Sequence, residues 1–233
     1  MMEAVSAGGA PPRLADRIAA VRSGLAEAAR DAGRDAREIT VIAVTKFHPA
    51  GLIRELAALG VTDIGESRHQ EAQAKAKELT GLGLTWHFVG QLQSNKARQV
   101  RGYSAVIHSV DRASLLGPLS DPEHDVDCFI QVNLTEDPRR GGIPSTELEG
   151  FAEQVLRTPG LRLLGVMAVA PQDAEPRRAF GRLREASDRL RALAPAATSI
   201  SAGMSGDYRE AILEGATHLR IGTAITGNRP AAG

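Results

Sequence analysis

The sequence predicts an α/β protein that folds as a single (β/α)8 (TIM) barrel with an extra helix at its N-terminus. Eight short apolar segments alternate with segments of helical periodicity along the chain. The apolar segments are rich in Val and Ile, which is typical of parallel strands that are buried on both faces. The chain length of 233 residues agrees with the roughly 250 residues of a typical barrel of this kind. A doubly wound open sheet is the alternative for the same alternation.

An amphipathic helix is predicted first, within residues 11–35. Its apolar residues recur at helical spacing: Leu14, Ile18, Val21 and Leu25. Pro12 lies near the start of this segment and Gly33 near its end, as expected for the two ends of a helix. The eight predicted strands then follow, at residues 39–44, 61–65, 84–90, 104–110, 126–134, 161–170, 197–203 and 217–222.

A helix is predicted after each of the first seven strands. These helices occupy residues 51–60, 67–79, 94–102, 111–119, 145–157, 175–193 and 206–215. Strands that are joined through helices pair in parallel, and eight such units close into a barrel more readily than they lie in an open sheet. Residues 11–233 are therefore expected to form one domain, and residues 1–10 are expected to be disordered.

The composition argues against several classes of function. The 28 Lys and Arg residues balance 28 Asp and Glu residues, so no nucleic-acid or membrane partner is expected. The single cysteine, Cys128, cannot form an intramolecular disulfide, and no segment resembles a membrane span or a secretory signal. Six histidines without ligand spacing argue against a metal site. These features predict a soluble, cytoplasmic protein.

Lys46 stands at the end of the first predicted strand, in the stretch VIAVTKFHPAG (residues 41–51). Lysine is rare in this chain, because the 28 basic residues include only four lysines: Lys46, Lys75, Lys77 and Lys96. An ammonium group, unlike a guanidinium group, can lose its proton near neutral pH and act as a nucleophile. Lys46 is therefore a candidate amine that attacks a carbonyl, and an exposed lysine on the rim of the barrel is the alternative.

The loops after the seventh and eighth predicted strands have the composition of a phosphate site. They read SAGMSGD (201–207) and LRIGTAITG (219–227), with glycines that open the backbone amides and with hydroxyl donors. Barrels often bind phosphate at these two loops, although the glycines could instead only permit tight turns. Closure of the barrel places both loops beside the first strand. A ligand with a phosphate and an aldehyde would fit, and pyridoxal 5'-phosphate (PLP), held by the lysine as a Schiff base, has that shape.

Six segments carry a resemblance to a known family: AVTKFHP, IGESRHQEA, WHFVGQLQSNK, GVMAVAP, SAGMSGDYREAI and GATHLRIGTAITG. From about Ile39 to Gly227, the chain resembles the pyridoxal phosphate homeostasis protein family, which is similar to the N-terminal barrel of bacterial alanine racemase. The resemblance implies a fold-type III PLP-binding barrel that holds the cofactor covalently through Lys46 without dedicated catalytic turnover. It also implies a role in intracellular PLP homeostasis, with apo PLP-dependent enzymes as candidate recipients.

The resemblance further implies roles for residues on the rim. The residues that would hold the phosphate are Met204, Ser205, Gly222 and Thr223. Arg220 would face the cofactor or its phosphate, and an arginine opposite the pyridine nitrogen weakens the electron sink, which suits a carrier. The family usually has Gly-Glu-Asn after the second strand, whereas this chain has Gly65-Glu66-Ser67. The shorter Ser67 would lose its contact with the ring or make it through water.

An amino-acid racemase is the alternative function. Two-base racemisation needs a second proton-transfer group on the opposite face of the cofactor, and in alanine racemase a second domain of a partner chain supplies it. No such domain is expected here, and the only tyrosines, Tyr103 and Tyr208, are not obvious substitutes. A barrel enzyme that acts on a phosphorylated sugar through Lys46 fits the rim but not the set of motifs.

Two further expectations concern the interior and the assembly. His87 and His108 lie on the third and fourth predicted strands, and both are expected to be hydrogen-bonded interior residues rather than acids or bases. The chain is expected to be a monomer or a homodimer, and the sequence does not favour one over the other.

Overall fold

Eight parallel strands form a closed barrel in the computed structural model, which describes residues 12–229. The barrel strands are β1 (Thr40–Val44), β2 (Asp63–Glu66), β3 (Thr85–Phe88), β4 (Val106–Val110), β5 (Val126–Asn133), β7 (Leu161–Met167), β8 (Ser199–Ser201) and β9 (His218–Ile221). A two-residue strand, β6 (Ile143–Pro144), pairs with the end of β5 outside the barrel. The strand order is β4-β3-β2-β1-β9-β8-β7-β5, and β4 also pairs with β5, which closes the ring. The predicted barrel is confirmed, and the open sheet is wrong.

The described part of the chain contains nine α-helices. They are α1 (Leu14–Asp31), α2 (Ala50–Ala58), α3 (His69–Glu78), α4 (Ala97–Arg101), α5 (Leu116–Leu119), α6 (Leu148–Leu156), α7 (Pro176–Leu193), α8 (Tyr208–Leu213) and α9 (Thr223–Thr226). Short 3-10 helices occur at Ala36–Glu38, Ser94–Lys96, Ala113–Leu115, Pro138–Arg140 and Ser145–Glu147. All eight predicted helices are present. Helix α9 was not predicted, because four residues are too few to show a helical period. The segment predicted to be disordered, residues 1–10, lies outside the described residues.

Helix α1 holds the last loop of the barrel in place. Its buried stripe includes Ile18, Val21 and Leu25 at helical spacing, and the helix packs against α8 and α9. Burial of each such side chain contributes roughly 1.5–3 kcal/mol. The Nε atom of Arg17 also donates a hydrogen bond to the carbonyl oxygen of Ile225 at 2.6 Å. Helix α1 therefore fixes the segment that follows β9.

The main core lies between the strands and the surrounding helices. It contains fully buried side chains from both layers, such as Ile53 of α2, Ile64 of β2 and Leu183 of α7. This arrangement explains why the strands carry apolar residues on their outer faces, since these faces pack against helices. No helix among residues 12–229 combines the length and the apolar character needed to cross a membrane.

The interior of the barrel is partly polar. Phe129 packs with Val106 and Met167 in a small apolar cluster that is separate from the main core. His108 and Ser201 are fully buried beside this cluster, and the ring of His108 stacks on Phe129 with centroids 4.7 Å apart. Barrel interiors are usually filled by bulky apolar side chains. Packing alone therefore does not account for the polar residues in this one.

Candidate functional site

The seven predicted site residues lie at or next to the carboxyl end of the barrel. Lys46 and Ser67 follow β1 and β2, Met204 and Ser205 follow β8, Gly222 and Thr223 follow β9, and Arg220 lies within β9. Because the strands are parallel, their carboxyl ends form one rim. Strands β1 and β9 are neighbours, and a Cβ atom built on Gly222 would lie 4.0 Å from Cβ of Val44. Lys46 is two residues beyond Val44, so the rim brings it to the same end of the barrel as the loop after β9.

The residue after Lys46 has an unusual backbone conformation. Phe47 has a φ angle of 69°, and it is the only non-glycine residue with positive φ among residues 12–229. This region costs an L-residue roughly 1–2 kcal/mol. The backbone N–H of Phe47 donates a hydrogen bond to Oε1 of Glu71 at 2.6 Å, and the guanidinium of Arg229 lies 3.9 Å from the centre of its ring. These contacts hold the turn that presents Lys46 at the rim.

A buried ionic group contacts this turn. We call it the Lys75 cluster, and it comprises Thr45, Glu66, Glu71 and Lys75. The Nζ atom of Lys75 donates to Oε1 of Glu66 at 2.7 Å, to Oε1 of Glu71 at 2.6 Å and to the carbonyl oxygen of Thr45 at 2.9 Å. The hydroxyl of Thr45 donates to the same oxygen of Glu66 at 2.6 Å. Lys75 therefore fixes both neighbours of Lys46, because it bonds Thr45 directly and holds Phe47 through Glu71.

Glu66 is the most buried member of the cluster, with 1 % of its surface exposed. Burial raises the pKa of its carboxyl group above the ordinary value, while the hydrogen bonds from Lys75 and Thr45 act in the opposite direction. Its second oxygen, Oε2, has no hydrogen-bond partner within the described part of the chain. A buried carboxylate oxygen without a hydrogen-bond donor lowers the stability of the fold. The next residue in the chain is Ser67, which lies at the rim.

Close packing of the backbone fixes the position of Ser67. A Cβ atom at Gly90, just beyond β3, would lie 2.2 Å from the carbonyl oxygen of Ser67 and 2.7 Å from its Cα atom. Only glycine can accept this approach without displacing the main chain. Ser67 is half-buried, and its hydroxyl makes no hydrogen bond to residues 12–229. The side chain is thus free to contact a ligand at the rim.

The loops after β8 and β9 meet at the rim, and we call residues 203–206 together with 222–223 the cup. Gly203 has a φ angle of 90°, and a Cβ atom there would lie 2.7 Å from Cβ of Ala211, so the turn into α8 requires glycine. Oδ1 of Asp207 accepts a hydrogen bond from the backbone N–H of Met204 at 2.6 Å. The hydroxyl oxygen of Ser205 accepts a hydrogen bond from the backbone N–H of Ala224 at 3.2 Å. Ser205 therefore ties one side of the cup to the other.

Several donors of the cup have no acceptor in the described part of the chain. Within residues 12–229, the backbone N–H groups of Ser205, Gly206, Gly222 and Thr223 make no hydrogen bond. Thr223 is exposed and adds a free hydroxyl group. Convergent amides and hydroxyls of this kind suit an anion with several oxygens, such as a phosphate. The amide of Met204 differs, because Asp207 already accepts its hydrogen.

Arg220 is a buried cation beside the cup, with 5 % of its surface exposed. Nη1 donates to the hydroxyl oxygen of Ser201 at 2.6 Å, and Nη2 donates to the carbonyl oxygen of Ala168 at 2.8 Å. Its other three N–H groups have no acceptor, and no carboxylate of the described chain lies within 4.0 Å. Burial lowers its pKa to about 10, and Asp207 opposes the shift. Arg220 is therefore a cation at neutral pH that lacks a paired anion.

A column of hydrogen bonds runs through the barrel interior behind Arg220. Nδ1 of His108 lies 2.8 Å from the hydroxyl of Ser201, and Nε2 of His108 lies 3.0 Å from Nδ1 of His87. Nε2 of His87 lies 3.0 Å from Oδ1 of Asp63, the first residue of β2. The expectation that both histidines are hydrogen-bonded interior residues is confirmed. We call Asp63, His87, His108 and Ser201 the histidine column.

The residues that support the site were not among the predicted ones. Lys75 is one of four lysines, and the sequence predicts no role for Asp63 or Ser201. The i, i+4 spacing of Glu71 and Lys75 on a predicted helix was an available signal for an ion pair. Nothing in the sequence indicated the contact between His108 and Ser201, which lie 93 residues apart on strands from opposite sides of the barrel. Among residues 12–229, no group of His, Cys, Asp and Glu side chains could hold a metal ion.

The sequence matches a family of known proteins over most of its length. Residues 18–230 match the family described as alanine racemase, N-terminal domain. A pyridoxal phosphate homeostasis protein from Mycobacterium bovis is 39 % identical over 239 residues, and the alignment covers 93 % of each chain. The protein of the same name from Pseudomonas aeruginosa is 40 % identical over 223 residues, which is 93 % of this chain and 96 % of that one.

A solved structure is similar over nearly the whole fold. PipY from Synechococcus elongatus PCC7942, determined with PLP bound, is 35 % identical and superimposes with a TM-score of 0.81. The alignment covers 92 % of this chain and 100 % of that chain. At this level of identity, the match concerns sequence family as well as fold.

Proposed function

Because the chain belongs to the pyridoxal phosphate homeostasis protein family and matches the alanine racemase N-terminal domain, we propose that it binds PLP at the rim of the barrel. The observation that carries this proposal is the buried, unpaired guanidinium of Arg220 beside a cup of free amides. A buried cation without a partner is expensive, and an anionic ligand would offset that cost. PipY, which is similar over nearly the whole chain, has PLP bound in its structure.

The residues of the cup fit the phosphate end of the cofactor. The free N–H groups of Gly222 and Thr223 and the hydroxyl groups of Ser205 and Thr223 would donate to phosphate oxygens. Met204, whose amide is held by Asp207, would border the phosphate from the loop after β8. Ser67, whose hydroxyl is free, would face the ring directly or through water.

Lys46 would hold the aldehyde end of the cofactor. Its Nζ atom has no hydrogen bond or ion pair with residues 12–229, so the amine is available for reaction. As a free amine, Lys46 would condense with the aldehyde carbon to form a Schiff base, with loss of one water molecule. When bound, PLP supplies an electron sink for reactions of amino groups. The Lys75 cluster would hold the lysine at the rim, because it fixes Thr45 and Phe47 on either side.

We further propose that the protein carries PLP without dedicated turnover, as a homeostasis protein that supplies apo PLP-dependent enzymes. Arg220 remains cationic at neutral pH, and a cation facing the pyridine nitrogen disfavours its protonation and weakens the electron sink. The hydroxyl groups of the two tyrosines contact residues outside the predicted site. Tyr103 contacts His69 of α3 at 3.4 Å, with its pKa raised by burial, and the Tyr208 hydroxyl lies against Gly24 of α1. Neither is placed as a second proton-transfer group.

Borohydride trapping tests the covalent step. The protein is loaded with PLP, reduced with borohydride and digested, and the modified lysine is located by mass spectrometry. The modification is expected on Lys46, and Lys46→Ala should lose both the visible absorption band and the label. Lys77→Ala is the matched control, because Lys77 is an exposed lysine on α3. Labelling of another lysine in the unaltered protein would refute the assignment.

Two activity measurements distinguish a PLP carrier from an amino-acid racemase. Racemisation of alanine or serine by the loaded protein at roughly 1 per second or faster, within the usual enzyme range, would favour the racemase. Transfer is tested by mixing the loaded protein with an apo transaminase and following recovery of transaminase activity. Recovery no faster than with free PLP at the concentration that the protein releases would contradict a delivery role.

A further inference from the structure

The histidine column crosses the barrel from its amino end to the rim. It begins at Asp63, whose side chain is 31 % exposed at the amino end of β2, and it ends at Ser201. Ser201 accepts a hydrogen bond from Arg220, which lies near the carboxyl end of β9. His108 and Ser201 lie on β4 and β8, which do not pair, so their hydrogen bond spans the interior. An apolar interior would be the simpler way to pack a barrel. The polar side chains therefore have a role beyond packing.

The donors and acceptors of the column can be assigned from its two ends. A guanidinium only donates, so the hydroxyl oxygen of Ser201 accepts from Arg220. An ionised carboxylate only accepts, so Asp63 accepts from Nε2–H of His87. Nδ1 of His87 then accepts from Nε2–H of His108. The bare Nδ1 of His108 in turn accepts the hydroxyl hydrogen of Ser201.

This assignment satisfies every group of the column, and all donors point toward Asp63. If His108 instead carried its hydrogen on Nδ1, Ser201 would accept two hydrogen bonds and its own hydroxyl hydrogen would have no acceptor among residues 12–229. Burial lowers the pKa of His108 well below 6.5, and the positive charge of Arg220 acts in the same direction, which keeps His108 neutral. Each bond in such a chain polarises the next. Through this polarisation, the carboxylate of Asp63 makes the hydroxyl oxygen of Ser201 more negative.

We propose that the histidine column positions Arg220: the Nε2–H tautomer of His108 orients the hydroxyl of Ser201, which holds the guanidinium in one orientation at the rim. The column accepts one hydrogen bond from Arg220 and does not neutralise its charge, so it orients the guanidinium and leaves three N–H groups free for a ligand. The positioning holds for the protein alone, and its effect on PLP rests on the proposed function. His108 acts through Ser201 and Arg220, so it is a positioning residue rather than a catalytic one.

Nitrogen NMR of the protein without PLP tests the tautomers directly. At pH 7, two-bond ¹⁵N–¹H spectra should show His87 and His108 as neutral rings with the hydrogen on Nε2, and the Nη1 and Nη2 hydrogens of Arg220, which donate the hydrogen bonds, should give separate resonances in slow exchange with water. His108 with its hydrogen on Nδ1, or a doubly protonated His108, would overturn the proposal. This measurement stands whether or not the protein binds PLP.

Substitutions then separate positioning from packing. His108→Phe keeps a ring against Phe129 but breaks both hydrogen bonds, whereas His108→Gln can still donate to His87 and accept from Ser201. The Phe variant should lose the slow-exchanging Arg220 signal and weaken PLP binding by up to about tenfold, as expected for the loss of one neutral hydrogen bond, and the Gln variant should restore most of both. The visible absorption band of the bound cofactor should also change its pH dependence in the Phe variant alone. If His108→Phe does not fold, Ser201→Ala removes the same contact and carries the same expectations.

His218→Gln is the matched control. His218 is a largely buried interior histidine whose ring contacts Phe129, but its hydrogen bond goes to Thr217 outside the column. The control should leave the Arg220 signal and the PLP affinity unchanged. Equal losses for His108→Phe, His108→Gln and His218→Gln would mean that the column is only structural, which would overturn the proposal. An unaltered protein that shows the predicted tautomers but binds no PLP would refute the proposed function and leave the positioning intact.

Discussion

The Nζ atom of Lys75 lies 2.7 Å from Oε1 of Glu66, and both side chains are buried, with 6 % and 1 % of their surface exposed. A buried ion pair contributes little net stability, because desolvation of both charges offsets their attraction. Removal of one partner is different, since it leaves the other charge buried and unpaired. The pair therefore matters more for the shape of the rim than for the overall stability of the barrel.

Lys75→Met is expected to lower the free energy of unfolding by about 3–5 kcal/mol, because it leaves Glu66 without its cation. Urea unfolding followed by circular dichroism measures this change. The double variant Lys75→Met with Glu66→Gln should recover much of the loss, since the unpaired charge is gone. Lys77→Met, on the exposed face of the same helix, should change the free energy by less than about 0.5 kcal/mol. A similar small change for Lys75→Met would contradict the role of the cluster.

Phe47 allows a test of the strained turn. Alanine is usually more stable than glycine in a folded chain, because glycine loses more conformational freedom on folding. At a φ angle of 69° the order should reverse, since only glycine adopts this region without cost. Phe47→Gly is expected to be more stable than Phe47→Ala by about 1 kcal/mol, measured by urea unfolding. Both variants lose the ring, so the difference isolates the backbone, and the usual order would show that the turn relaxes.

The barrel was predictable from the sequence because each strand is a local signal. The run that became β1 has apolar residues on both faces, at residues 41–44, and parallel pairing of the strands then follows from the helices between them. The cup was also predictable, because the loops after the last two strands of a barrel lie at the carboxyl ends of those strands, next to the first strand. Helix α9 was not predictable, because four residues carry no period.

The support of the site depends on contacts that no local pattern reveals. The Lys75 cluster joins residues from β1, β2 and α3, and it exists only because the register of β1 on β2 places Val44 opposite Gly65. The bond between His108 and Ser201 depends on the width of the closed barrel. Such contacts are set by tertiary geometry, so the sequence indicated the residues that we propose to face a ligand and not those that support them.

Neutral buried histidines predict a loss of stability in acid. Burial lowers the pKa of His218 from 6.5 to about 4 and that of His108 well below 6.5. The unfolded chain binds these protons first, so the stabilisation is complete above about pH 6.5 and is lost as the pH falls toward the native values. For His218 the difference of 2.5 pH units corresponds to about 3 kcal/mol.

Urea unfolding between pH 7 and pH 4 measures this dependence. His218→Gln should reduce its slope by up to about 1.4 kcal/mol per pH unit, which corresponds to one proton. Substitution of His124, whose side chain is 80 % exposed, should leave the slope unchanged. A slope that is the same in the His218 variant and in the unaltered protein would show that this histidine does not titrate on unfolding.

Ser205 connects the two sides of the cup, and its substitution tests whether the cup binds a phosphate. Ser205→Ala removes the acceptor for the N–H of Ala224, at 3.2 Å, and one hydroxyl donor to the ligand. Each hydrogen bond to a charged group contributes roughly 1.5–3 kcal/mol, so PLP binding should weaken by about tenfold or more. Ser114→Ala is a suitable control, because the Ser114 hydroxyl pairs with Ser94 at an exposed position.

Comparison of PLP with pyridoxal makes this test specific for the phosphate. Pyridoxal has the same ring and aldehyde but no phosphate, so it can react with Lys46 while leaving the cup empty. Ser205→Ala should therefore weaken PLP binding much more than pyridoxal binding, as measured by titration of the visible absorption band. Lys46→Ala should reduce both, because it removes the amine that the two ligands share. Equal weakening of PLP and pyridoxal by Ser205→Ala would place the phosphate elsewhere on the rim, since the hydroxyl would then act only through the shape of the barrel end.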